Sequence, residues 1–162
     1  MSPVTACLLA LLTVGFLVVK QDALVLEEVE ADALVVQEAE RGVSETITQL
    51  TQEMEACADN EDMDCILAYF ADDVRTMREG AAGVDIGKAE TRKHMKWIEQ
   101  DLDITKDVLE ITPSTDESIV VEQLIMTMKF PNGTYAHNWK GLFVWKKVNN
   151  DYKIYIDIFN DN

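Results

Sequence analysis

The chain has 162 residues, 48% of them apolar, enough for one domain with a sizeable core and too few to make a second domain the natural reading. Its 14 Lys and Arg stand against 30 Asp and Glu, a net charge of −16 that repels phosphate backbones and anionic headgroups and argues against a nucleic-acid partner. Seven of the acids and two of the bases precede residue 42, so residues 42–162 keep 23 acids and 12 bases, and the domain itself is acidic.

The apolar run CLLALLTVGFLVV, from Cys7 to Val19, is too short to span a bilayer, which takes roughly 20 residues, but suits the apolar stretch of a secretory signal. Residues 1–21 are therefore read as a signal peptide whose cleavage position is open, and the chain as secreted or lumenal without stable membrane insertion after processing. An uncleaved membrane anchor is the alternative, because MSPVTA lacks a basic side chain. Two near-copies of an acidic and apolar unit, DALVLEEVEA and DALVVQEAER, start at Asp22 and Asp32. Ten residues are too few for a solenoid repeat, so residues 22–42 read as a leader or linker.

The domain proper, residues 43–162, opens with a helix that Ser44 can cap, with Ile47, Leu50, Met54 and Cys57 along one face. A short second helix carries Ile66, Leu67, Tyr69 and Phe70, and Asp72-Asp73 separate it from a brief strand over Val74 to Met77. Cys57 ends the first helix and Cys65 lies in the first turn of the second. An oxidising compartment would suit a bridge between them, and two small buried hydrophobes are the alternative. In the loop REGAAGVDIG the glycines lack the spacing and the Lys-Ser/Thr pair of a phosphate cradle.

A third helix is expected from about Lys88 to Gln100, with His94, Met95 and Ile98 inward, Trp97 at the edge, and Arg92, Lys93 and Lys96 on a solvated face. Strands near 104–112, 118–130, 135–148 and 152–159 follow, rich in β-branched and aromatic residues. Pro113, Asn132-Gly133 and Asn149-Asn150-Asp151 mark the turns. Asn132-Gly133-Thr134 is also a glycosylation sequon. Helices first and hairpin-linked strands afterwards describe an α+β fold with an antiparallel sheet.

Asp157 alternates with Ile154, Ile156 and Ile158, which places it on the face opposite the isoleucines and leaves open which face is buried. Burial would raise its pKa and make it a general acid or base; exposure would make it one more surface acid. Glu122, between apolar neighbours on a central strand, is either an inward carboxylate or exposed. His137 heads a strand shared by Trp139, Phe143 and Trp145, and those aromatics would form an association patch if they projected from the outer face. The two histidines have no cysteine or carboxylate partners at metal-site spacing, so neither a metal nor a cofactor is expected.

Three places together resemble the nuclear transport factor 2-like superfamily and its SnoaL-like and kinase-association-domain-like branch. They are the helix pair ending YFADDV, the G-x-x-x-T-R pattern of Gly87 to Arg92, and GLFVWKK followed by a turn and YKIYIDIFN. The resemblance implies a cone-shaped curved antiparallel sheet packed on three helices, and a homodimer. It is almost silent about activity, because that superfamily holds isomerases, dehydratases, cyclases, epoxide hydrolases and assembly domains. The first helix lacks the Tyr of the steroid isomerases, and no Arg follows Arg92 to serve as in the epoxide hydrolases. The His, Asp and Tyr of the dehydratases have counterparts in His94, His137, Asp157 and Tyr69. Three functions follow as expectations: binding of a small apolar ligand, with Tyr69, Trp97, Glu122, His137, Trp139 and Trp145 around it; a cofactor-independent lyase, isomerase or cyclase using Asp157, His94 or Tyr69; or a homodimeric assembly module.

Overall fold

The structure is a computed structural model and describes residues 41–161; the expected signal peptide and nearly all of the expected acidic leader lie outside the described residues. Helix α1 occupies 41–59 and buries Val43, Ile47, Thr51, Met54 and Cys57 along one stripe. Ser44 does not cap it. The residue sits inside the helix, where its carbonyl accepts from the Thr48 hydroxyl, 2.9 Å away. Helix α2, Met63–Ala68, starts at Asp62, whose side chain accepts from the Cys65 amide. Cys57 and Cys65 are joined in a disulfide that ties the two helices across their turn.

Strand β1, Phe70–Arg78, begins four residues earlier than expected. Phe70 leaves the helix because it pairs with Ile154 of the last strand, whose amide also donates to the Tyr69 carbonyl. A two-residue strand β2, Asp85–Ile86, forms in the glycine-spaced loop. The expected third helix is divided: α3 covers Lys88–His94, and a 3₁₀ turn covers Lys96–Glu99. The tighter winding after His94 brings Met95, Trp97 and Ile98 to one cavity. Arg92, Lys93 and Lys96 are exposed, as a solvated face requires.

Strands β3 (Asp103–Pro113), β4 (Ile119–Lys129), β5 (Tyr135–Val148) and β6 (Asp151–Asp161) complete a six-stranded sheet in the order β2-β1-β6-β5-β4-β3. The sheet is mixed, not purely antiparallel, because β1 runs parallel to β6. The turns are local chemistry: Asn149 and Asn150 both take positive φ, 52° and 67°, in a two-residue connection between Val148 and Asp151, and Gly133 takes φ 79° after β4.

Alternation on β4 sends Val120, Glu122, Leu124, Met126 and Met128 inward, opposite Trp145, Phe143, Gly141, Trp139 and His137 of β5. The β5 aromatics are thus on the inner face and form no outer association patch. One irregularity decides the site. Trp145 pairs with Ile154 but Val144 pairs with Ile156, so Tyr155 is an extra residue in β6. The bulge breaks the strict alternation, and both Ile154 and Asp157 are buried.

Candidate functional site

The inner face of the sheet, the end of α1 and the α3–3₁₀ segment enclose a cavity of about 60 Å³. Most of its wall is apolar: Met54, Ile66, Phe70, Met95, Ile98, Leu124, Met126 and Phe143 contribute, and Trp97 packs edge-on against Trp139, centroids 5.3 Å apart. Phe159 closes on the other side of Trp139 at 5.1 Å. Gly141 supplies the central gap in the wall. A Cβ there would lie 3.1 Å from Leu124 Cδ1, closer than the two side chains could sit without shifting.

Into this wall the sheet sends Asp157, whose residue is only 6% exposed. Burial alone pushes its carboxyl up to about 7, and no hydrogen bond or ion pair among the described residues holds it. A second polar group is Lys106 of β3, facing Met126 across the ladder. Its side chain is 5% exposed, with Glu55 of α1 3.8 Å away. Burial lowers the ammonium's pKa, against the smaller opposing pull of Glu55, Glu122 and Asp59. His94 also lines the cavity, with Nε2 3.1 Å from Asp85 Oδ2, and Arg78 holds the same oxygen at 3.2 Å.

The other residues singled out from the sequence stand elsewhere. Glu122 is fully buried but does not line the cavity; Trp145 Nε1 donates to it at 2.8 Å and Thr51 Oγ1 at 2.9 Å. Its pKa is raised, because burial outweighs those two donors and Lys106. Trp145 is 0% exposed and belongs to that polar knot, not to the ligand space. Tyr69 lies outside the cavity lining, donating its hydroxyl to Glu53 at 3.3 Å. Its pKa is raised by partial burial and by Glu53. His137 meets Trp139 edge-on, centroids 4.8 Å apart, and does not line the cavity. Asn132 is exposed in the β4–β5 turn, where its side chain accepts from the Thr134 amide.

Of the expected set, Asp157, His94, Trp97 and Trp139 therefore share one cavity. Lys106, Gly141 and Phe159 were not anticipated. For Lys106 the signal was present: it shares the parity of Ile104, two positions before it on the same face of β3. Among the described residues no group of three His, Cys, Asp or Glu is placed to hold a metal ion.

No protein-family model matches the chain, and no curated protein matches its sequence. Solved structures do match its fold. A nuclear transport factor 2-like protein of unknown function from Shewanella oneidensis superposes with a TM-score of 0.62 at 16% identity, over 73% of this chain and 98% of that one. A protein of unknown function with a cystatin-like fold from Nostoc punctiforme gives 0.62 at 17% identity, over 74% and 90%. A ketosteroid isomerase-like protein from Erwinia carotovora atroseptica gives 0.57 at 15%, over 72% and 93%. At such identities the likeness speaks for the fold alone.

Proposed function

We propose that this domain of nuclear transport factor 2-like fold is a secreted or lumenal binding protein whose cavity takes a small, largely apolar molecule, with the Asp157 carboxyl as a polar anchor. The observation that carries this reading is a carboxyl without a partner in an aromatic and aliphatic wall. A buried polar group left unpaired costs about 1–3 kcal/mol, which a ligand hydroxyl or carbonyl would recover. The cavity, about 60 Å³, is smaller than the ~150 Å³ that accommodates benzene, so the buried end of its occupant has on the order of two or three heavy atoms. The Cys57–Cys65 bridge favours an oxidising compartment.

The test uses 1-butanol as probe and the indole N–H resonances of Trp97 and Trp139 as reporters. Saturable shifts at both are expected in the wild type and absent in Gly141→Leu, whose side chain fills the void. Ionised Asp157 would lose what hydration it has when the cavity fills, so the probe binds the protonated form more tightly. Affinity should fall as pH rises through about 7, and Asp157→Asn should remove that dependence. No saturable shift up to the solubility of the probe would reject the reading.

A proton-transfer enzyme of lyase, isomerase or cyclase type is the second reading, favoured because His94, beside Asp85, faces the same cavity as Asp157. Under it, the protein would catalyse deuterium wash-in from solvent at the α carbon of 2-butanone, and Asp157→Asn would abolish wash-in without abolishing 1-butanol binding.

A further inference from the structure

We propose that Lys106 is a covalent capture residue and that the molecule taken by the cavity is a neutral aldehyde or ketone, held as a reversible imine on the Lys106 amine. The inference rests on the cavity being a ligand site, and it names the chemical class of the ligand.

The argument begins with charge. Glu55, Asp59 and Asp157 line the same cavity as Lys106, and Glu122 lies behind it. An anionic ligand would meet this field of carboxyls, and a cation would have little reason to approach the amine. A neutral electrophile suffers neither penalty. Geometry supplies the second step. The Lys106 side chain is almost wholly removed from solvent, yet its one ion pair among the described residues, to Glu55 at 3.8 Å, is too long for a hydrogen bond. A lysine held only for charge balance is expected to close on its carboxylate; this one stands off and keeps its head group at the cavity wall. Burial in apolar surroundings also favours the uncharged amine, the form that can act as a nucleophile.

The step balances without an oxidant or reductant. The Nζ lone pair forms a C–N bond to the carbonyl carbon while the π pair moves to oxygen, which takes a proton to give a carbinolamine. Glu55 is the nearest carboxylate to accept the proton that Nζ sheds. The carbinolamine oxygen takes a second proton from solvent and leaves as water while the nitrogen lone pair closes a protonated C=N bond, whose N–H proton returns to solvent to leave the imine. Addition of water reverses the sequence and releases the carbonyl compound.

The experiment is reductive trapping of the full chain at neutral pH with butanal and sodium cyanoborohydride, followed by peptide mapping. Butylation of Lys106 should exceed that of exposed Lys93 severalfold, because burial favours the uncharged, nucleophilic form of the Lys106 amine. Excess 1-butanol should suppress labelling at Lys106 and spare Lys93. Lys106→Met should lose the adduct and leave the labelling of Lys93 as it was. If that variant fails to fold, the wild-type map and the butanol competition decide alone. Labelling spread evenly over the lysines, or absent from Lys106, with 1-butanol binding intact would overturn the imine and leave the binding function standing. Loss of both would remove the ligand site itself.

Discussion

Asp157 carries a thermodynamic signature that can be read without any ligand. Its carboxyl titrates near 3.8 in an unfolded chain and about 7 in the fold, so between those values the native state binds the extra proton. Stability is then fully present below the unfolded value and is lost as pH rises through about 7, by up to about 4 kcal/mol for a shift of this size. Glu122, also raised, acts in the same direction. Denaturation at pH 5 and pH 8 should show the more acidic sample to be the more stable, with a smaller difference in Asp157→Asn. Equal stability at both pH values in the wild type would show the carboxyl to be hydrated. At this scale the sequence was readable in part. The burial of Met54 and Ile98 follows from periodicity, whereas Asp157 shares a face with Ile154 only because Tyr155 is an extra residue between them, which alternation alone cannot detect.

Among the elements, the α1–α2 hairpin depends on a bridge that closes a very short loop. Cys57 and Cys65 are eight positions apart, and the chain-entropy account gives about 2.5 kcal/mol for such a closure. Cys57→Ser with Cys65→Ser should lower unfolding free energy by that amount, and reduction of the wild type should reproduce it. Ala58 and Asp59, within the bridged loop, line the cavity, so the double variant should also broaden the Trp97 resonance. Elements defined by local chemistry were legible: the Asn149-Asn150 turn and the long strands β4 and β5, whereas the Asp62 cap was not singled out. The parallel pairing of β1 with β6 was not, since it joins Phe70 to Ile154 across most of the domain and no nearby residue encodes it.

Viewed whole, the molecule turns its tryptophans inward and presents a different outer face. Val121, Val144 and Ile156 form one row across β4, β5 and β6 there, all half-buried, with Leu142 and Ile158 beside them. The homodimer expected from the superfamily would have to use these aliphatic side chains, and sedimentation should find a dimer that Val144→Lys dissociates; a monomer at every concentration would end that proposal. Among the described residues no helix is long and apolar enough to cross a membrane. The α+β arrangement was legible from element order and hairpin spacing, and its cone shape through the superfamily resemblance, while the chemistry inside was not, because it is assembled from five strands, three helices and a 3₁₀ turn whose residues are far apart in the chain.

The single inserted position in β6 has an evolutionary corollary. Deleting Tyr155 would leave Ile154 and Asp157 two positions apart, so plain alternation would hold both inward against the same β5 partners and only the local kink would go. A chain could thus lose that codon and keep its acid inside, so the insertion sets the curvature of the strand while the interior chemistry is indifferent to it.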